Sequence, residues 1–174
     1  MIKYQVIYAD PPWAQGMTGK YDRRPNRAKS LPYPSMGLEE IKRLSIGDVA
    51  DVGCHLWLWT TNQYLRDGFD VMDEWGFKYL APITWVKPSG LGNWFIHRTQ
   101  TLLFGYKEKC IFPNARYKPT VLVAGIPNRH SEKPIEMREL IEQISGTPRL
   151  ELFAREKTDG WDVWGNEVES DIQL

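Results

Sequence analysis

Lys3-Tyr4-Gln5-Val6-Ile7-Tyr8-Ala9-Asp10-Pro11-Pro12-Trp13 decides how the rest of this 174-residue sequence is read. Residues 3–9 are a short β-branched and aromatic run, which predicts a buried strand. The run stops at Asp10-Pro11-Pro12. Further along, residues 55–60, 81–86, 101–106, 120–124 and 150–154 also read as strands, and 87–93 as a Gly-rich loop directly after 81–86. Residues 38–44 predict a short helix, and 66–75 a second one that Gly76 ends. The clearest helix follows Pro134, which suits a first helical position; Met137, Leu140, Ile141 and Ile144 form its apolar face, and Gly146 and Pro148 stop it. Strands alternating with helices predict an α/β fold with a mostly parallel sheet covered on both faces. Such sheets gather ligand-binding loops at the carboxyl ends of their strands.

Composition narrows the class. With 42% hydrophobic residues the chain supports one core, so residues 1–174 are expected to form a single domain. Lys plus Arg and Asp plus Glu both number 22, which excludes a polycation that binds nucleic acid by bulk charge. No apolar run approaches a membrane span, and the N-terminus does not open like a signal peptide. Cys54 and Cys110 show no metal-ligand spacing and are expected to be buried thiols in a reducing cytoplasm. Eight tryptophans are many for this length; some are expected in the core, and an aromatic surplus also serves to stack flat ligands.

Asp10-Pro11-Pro12-Trp13 stands where the ligand loops gather. Both prolines have fixed φ and no N–H, so the turn offers carbonyl acceptors without donors at those positions. Asp10 adds an anionic acceptor and Trp13 a flat face. Several acceptors, few donors and one flat wall suit a planar ring bearing an NH2 group, and adenine is such a ring. Its exocyclic nitrogen is a poor nucleophile because the lone pair is delocalised into the purine. Two acceptors gripping the amine hydrogens favour a pyramidal nitrogen aimed at an electrophile. A base must leave its stack to reach such a pocket. Taken alone, the tetrapeptide reads equally well as a rigid turn with Trp13 in the core.

Three further residues carry chemistry by position. Lys133 stands just before a helix N-terminus, where free N–H groups and the dipole favour an anion, although most such lysines are merely solvated. Glu151 alternates with Leu150 and Leu152 and so faces away from them. In an ordinary strand that direction is solvent; at a strand end it suits the hydroxyls of a ribose. His97 by itself is more often structural than functional. His55 and His130 show no ligand spacing with it, so no metal is expected.

The chain resembles the adenine-N6 methyltransferase family that includes the catalytic subunit of the eukaryotic mRNA adenosine methyltransferase and many bacterial and phage DNA-modifying relatives. Beyond Asp10-Pro11-Pro12-Trp13, the resemblance rests on Leu31-Pro32-Tyr33-Pro34-Ser35-Met36, Leu56-Trp57-Leu58-Trp59-Thr60-Thr61-Asn62 and Trp85-Val86-Lys87-Pro88. It continues through Gly92-Asn93-Trp94, His97, Leu102 to Gly105, and His130-Ser131-Glu132-Lys133-Pro134. Glu151-Leu152-Phe153-Ala154-Arg155 and Trp164-Gly165-Asn166 complete it in the family's order. The resemblance implies a Rossmann-like class I methyltransferase fold with permuted motifs, S-adenosylmethionine as cofactor, and an adenine amine in nucleic acid as acceptor.

Carried over residue by residue, the resemblance makes Asp10, Pro11, Pro12 and Trp13 the catalytic loop, with Asp10 and the Pro11 carbonyl holding the amine. Tyr33 and His97 would line the acceptor pocket. Lys133 would meet the cofactor's carboxylate, while Glu151, Arg155 and Asn166 would lie around its ribose and methionine portions. Asp10, Phe153 and Glu167 belong to the same cofactor set. The chain departs from the family at Glu156, where an Asn or His is common nearby, at Glu167 in place of Gln, and at Gln100, where the eukaryotic subunit has Glu. Nine residues precede Asp10, and the upstream segment that touches the cofactor's adenine in larger members is expected to be missing.

Residues 16–29 hold the densest positive charge, with Lys20, Arg23, Arg24, Arg27 and Lys29 opposed only by Asp22. That loop is expected to track a phosphate backbone, with affinity that falls as salt rises. Trp94, His97 and Arg98 would add aromatic and cationic groups for an unstacked strand. Both loops also read as ordinary solvated surface. The leading expectation is DNA adenine-N6 methylation in a bacterial or phage-infected cytoplasm, with RNA as the nearest competing substrate. Relatives work as dimers, so a homodimer or a related partner subunit is expected. Methylation of protein glutamine uses a similar loop, but with Asn and Tyr in place of Asp10 and Trp13. A catalytically dead nucleic-acid-binding subunit would usually have lost the loop.

Overall fold

The computed structural model describes residues 2–13, 35–92, 94–114, 116–128 and 132–174. In chain order the elements are β1 (Tyr4–Ala9), α1 (Leu38–Lys42), α2 (Ile46–Val49), β2 (Ala50–Thr60), α3 (Leu65–Glu74), β3 (Lys78–Leu91), β4 (His97–Tyr106), β5 (Val121–Val123), α4 (Ile135–Ile144), β6 (Arg149–Leu152) and β7 (Asp162–Trp164). The strands among the described residues form one sheet in the order β5-β3-β4-β2-β1-β6-β7. Its β1–β2, β1–β6, β6–β7 and β3–β5 pairings are parallel; β2–β4 and β3–β4 are antiparallel. The mixed, mostly parallel sheet with helices on both faces is consistent with the expected class I methyltransferase fold.

Alternation along β1 explains both layers. Ile7 and Ala9 pack with Leu56, Leu58, Leu150 and Leu152 against Ile41 of α1 and Val71 and Met72 of α3. Val6 and Tyr8 point the other way, joining Trp57, Trp59, Ile83 and Phe104 beneath Met137, Ile141 and Ile144 of α4. Six of the eight tryptophans are buried: Trp13, Trp57, Trp59, Trp75, Trp85 and Trp161. Each of their indole N–H groups finds an acceptor, for example the Ile41 carbonyl at 3.0 Å for Trp75 and the Ala124 carbonyl at 3.1 Å for Trp85. The tryptophan surplus is therefore mostly core.

Three local expectations are corrected. Residues 87–93 do not form a loop throughout, because β3 runs on to Leu91 and pairs there with His97. The register shifts between Val86 and Leu91, and such an irregularity lets a strand carry Pro88. Glycine is needed on that arm, since a Cβ at Gly90 would come within 2.2 Å of the His97 carbonyl oxygen. Pro134 is the N-cap of α4 rather than its first helical residue, with ψ of 136°. Cys54 is buried but Cys110 is exposed, beyond β4 in a stretch of exposed residues. Among the described residues no helix is long and apolar enough to cross a membrane.

Candidate active site

The parallel strands β1, β2 and β6 end side by side, and their following loops surround a cleft of about 980 Å³. That volume lies at the upper end of the ~300–1,000 Å³ usual for small-molecule sites. Asp10, Pro11, Pro12 and Trp13 enter it from β1, Thr61, Asn62 and Tyr64 from the turn after β2, and Phe153, Ala154 and Arg155 from the turn after β6. Gly165, Asn166 and Glu167 follow β7, while His97 and Gln100 come from β4. An adjoining cleft of about 720 Å³ is lined by Tyr8, Arg138, Glu151 and residues 156–159, and it shares Asp10, Lys133, Phe153 and Arg155 with the first.

The Asp10–Trp13 turn is held from both ends. The Trp13 N–H donates to the Pro11 carbonyl at 2.8 Å, closing a tight three-residue turn around Pro12. The Met36 N–H donates to the Pro12 carbonyl at 3.0 Å. Each carbonyl keeps a second lone pair for another donor. Trp13 is not the open stacking wall the sequence suggested. It is 6% exposed, its indole donates to the Trp59 carbonyl at 3.0 Å, and its ring stacks on Tyr64 at 5.3 Å. Apolar burial wins over exposure here, and Trp13 anchors the turn.

Charge converges on the turn from the far end of the chain. The Lys133 ammonium is bonded to the Asp10 carboxylate and lies 5.4 Å from the centroid of the Trp59 ring. Burial and the nearby Lys133 push the Lys87 ammonium below its ordinary value at the same mouth. Arg155 faces Glu167 at 3.6 Å. In the second cleft, Arg138 donates to Glu151 at 2.8 Å, and burial raises the Glu151 pKa while Arg138 opposes that rise. Phe153, directly after β6, has φ of +61°, a left-handed backbone that is uncommon outside glycine and recurs where a site dictates the chain's path.

Of the residues expected to act, Asp10, Pro11, Pro12, Trp13, His97, Lys133, Phe153, Arg155, Asn166 and Glu167 come together in the main cleft, and Glu151 lines the adjoining one. Trp94 and Arg98 line neither. Trp94 lies between β3 and β4 and is 94% exposed, and the Arg98 side chain donates to the Lys87 carbonyl at 3.0 Å. Tyr33, Lys20, Arg23, Arg24 and Arg27 lie outside the described residues. Sequence reasoning assigned no role to Asn62, which hydrogen-bonds His97 at 2.9 Å, or to Arg138. Asn62 was signalled by the polar run Thr61-Asn62-Gln63 straight after a buried strand. Arg138, on a helix flank among charged neighbours, gave no signal.

The donor set suits S-adenosylmethionine. That molecule carries a carboxylate, an ammonium, a ribose diol and a purine, and the two joined clefts offer Lys133 and Arg155, Asp10 and Glu151, Asn166, and the apolar Phe153 and Ile126.

Comparison with known proteins gives the same class. A family model described as MT-A70 matches residues 4–167. The chain is 30% identical to the type II methyltransferase M.MunI of Mycoplasma sp, over 95% of this chain and 78% of that protein. It is 31% identical to the human N(6)-adenosine-methyltransferase catalytic subunit METTL3, over 96% of this chain and 28% of the relative. The N(6)-adenosine-methyltransferase MT-A70-like protein of Drosophila melanogaster is 30% identical over 96% of this chain and 27% of its own length. The chain thus spans little more than a quarter of these adenosine methyltransferases.

Proposed function

The chain belongs to the MT-A70 family, whose methyltransferases depend on S-adenosylmethionine, and on that premise we propose that it methylates the exocyclic N6 amine of adenine in DNA. The observation that carries the reading is the Asp10–Trp13 turn, whose acceptors open onto the same cleft as Lys133, Arg155, Asn166 and Glu167. When bound, the cofactor supplies a methyl group on a sulfonium centre. Lys133 holds its carboxylate, and Glu151, Arg155, Asn166 and Glu167 hold the ribose and methionine portions. Asp10 and the Pro11 carbonyl accept the amine hydrogens of an unstacked adenine and aim its lone pair. The hydrogen bonds that hold Pro11, Pro12 and Trp13 keep these acceptors from reorganising.

On the nucleic-acid side, His97 and Tyr33 are the residues assigned to the acceptor base, His97 from the wall of the main cleft, and Trp94 and Arg98 meet the strand outside the cleft. Lys20, Arg23, Arg24 and Arg27 neutralise phosphates. The exposed Leu91, Trp94, Phe95 and Ile96 also leave apolar surface for a homodimer or a related partner subunit. The same reading places the protein in a bacterial or phage-infected cytoplasm.

DNA is favoured over RNA by the coverage of the type II methyltransferase M.MunI, most of whose length the chain matches. RNA is the second reading, favoured by the similarity to METTL3 across nearly the whole chain. The test is methyl transfer from labelled S-adenosylmethionine to duplex DNA, single-stranded DNA and RNA in parallel, with the product nucleoside identified by mass spectrometry. N6-methyladenine in DNA is expected. Label in RNA alone would replace DNA with RNA; label in neither, despite cofactor binding, would point to a missing partner subunit, and label in neither without cofactor binding would leave a nucleic-acid-binding subunit.

A further inference from the structure

Arg138 projects from the first turn of α4, and its guanidinium donates to a Glu151 carboxylate oxygen at 2.8 Å. Both side chains are largely withdrawn from water, at 16% and 17% exposure. The guanidinium carbon lies 5.4 Å from the Tyr8 ring centroid and 5.1 Å from that of Trp161. Trp161 is itself pinned, because its indole donates to Glu142 at 2.7 Å. Arg138 thus rests on the corner formed by two edge-to-face aromatic rings whose centroids lie 6.0 Å apart, with one guanidinium nitrogen on the carboxylate.

The pair also lines a cleft. Arg138 and Glu151 both contribute to the wall of the smaller cavity, which shares Asp10 and Lys133 with the main one. Arg138 Nη1 is buried and has no hydrogen-bond partner among the described residues. A clamp built only to join α4 to β6 would do better with that donor satisfied. A carboxylate on the wall of a cofactor-sized cavity is useful as an acceptor only while it stays ionised and fixed in direction.

We propose that Arg138 is a positioning residue, holding the Glu151 carboxylate in place as an acceptor for hydrogen-bond donors of the bound cofactor. The inference rests on the cofactor reading given above. Burial works against Glu151 in this role, since it favours the protonated form. Asp10, just beyond β1, and Glu156, in the loop after β6, push in the same direction as burial. Arg138, reaching across from α4, is the group that opposes all three, while the Tyr8 hydroxyl on β1 stays neutral because its own pKa is raised by burial.

The test is calorimetric binding of S-adenosylhomocysteine to the intact chain between about pH 5.5 and about pH 8, with thermal unfolding measured on each variant. For the wild type, whose Glu151 pKa stays raised even with Arg138 in place, any weakening should be confined to the acid end of this range. Arg138→Met should bind progressively more weakly toward acid, by up to about tenfold per pH unit below the Glu151 titration, and recover at the alkaline end. Glu151→Gln should be weak at every pH, and Arg138→Lys, which keeps the cation, should retain most of the wild-type profile. A uniform loss in Arg138→Met at all pH values that Arg138→Lys shares in full would overturn the proposal in favour of a structural clamp. Wild-type affinity in Glu151→Gln would overturn it as well, even if Arg138→Met failed to fold. A wild-type chain that bound no S-adenosylhomocysteine at any pH would instead remove the cofactor reading on which the inference rests.

Discussion

Lys133 reaches across 123 residues of sequence to bond the carboxylate of Asp10. Lys133 is 10% exposed and Asp10 33%, so the contact sits at the boundary between protein and cleft. It joins the loop before α4 to the turn after β1, and it places a cation beside the acceptor that the proposed chemistry needs.

Replacing Asp10 by Ala is expected to lower methyl transfer by at least about 10²–10³-fold, the usual effect of losing one preorganised polar group at a reacting centre. Nucleic-acid binding, followed by fluorescence anisotropy, should stay within about twofold of wild type. An unchanged rate would take Asp10 out of the mechanism.

Lys133→Met tests the proposed contact with the cofactor's carboxylate, and it also removes the cation bonded to Asp10. A charge-assisted hydrogen bond is worth about 1.5–3 kcal/mol, so calorimetric affinity for S-adenosylhomocysteine should fall roughly ten- to a hundredfold. Unaltered affinity would show that the cofactor's carboxylate lies elsewhere.

Trp13→Phe keeps an aromatic ring, though a smaller one, and removes the N–H that donates to the Trp59 carbonyl. Leaving a buried acceptor unsatisfied costs about 1–3 kcal/mol, which urea denaturation should read directly. Turnover should fall as well, because the same bond anchors the acceptor turn.

His55 makes stability sensitive to acid. It is buried and bonded to Ser145 Oγ at 2.7 Å, and burial lowers its pKa from the ordinary 6.5. The unfolded chain therefore takes up a proton near pH 6.5 while the folded one resists it until lower pH, so the unfolded state binds more protons in that window. Stability attributable to His55 is complete above about pH 6.5 and is lost as pH falls toward the folded value. Chemical denaturation from pH 7.5 to 5 should show this loss, and His55→Gln should flatten that part of the curve.

Gly165→Ala tests how closely β7 must approach β6. A Cβ there would stand 2.2 Å from the Ala154 carbonyl oxygen, whose own N–H donates to the Trp164 carbonyl at 3.0 Å. Backbone cannot yield cheaply, so about 1–3 kcal/mol of stability should be lost. Cofactor affinity should fall with it, since Asn166 and Glu167 follow directly.

Much of the fold was legible because its signals are local. The apolar runs around β1, β2 and β6 and the glycine that ends α3, at φ of +79°, state their conformation within a few residues. The continuation of β3 through Pro88 and Gly90 was not legible, because only the close approach of β4 makes those residues strand. Trp13 shows the same limit in the site. Its place in the turn was readable, but whether its ring faced a ligand or the core depended on Tyr64 and the Trp59 carbonyl, both remote in sequence.

The sequence by itself determined the acceptor turn, the order of the motifs and the kind of sheet, because proline geometry, β-branching and apolar periodicity act on near neighbours. The resemblance grouped Lys133, Arg155 and Asn166 with Asp10, but only the tertiary structure decided how they meet at one cleft, that Lys133 bonds Asp10, and that Arg138 grips Glu151 beside it. The reason lies in strand order. Placing β1 between β2 and β6, all parallel, brings their carboxyl ends together, and local pattern carries no record of which strands become neighbours.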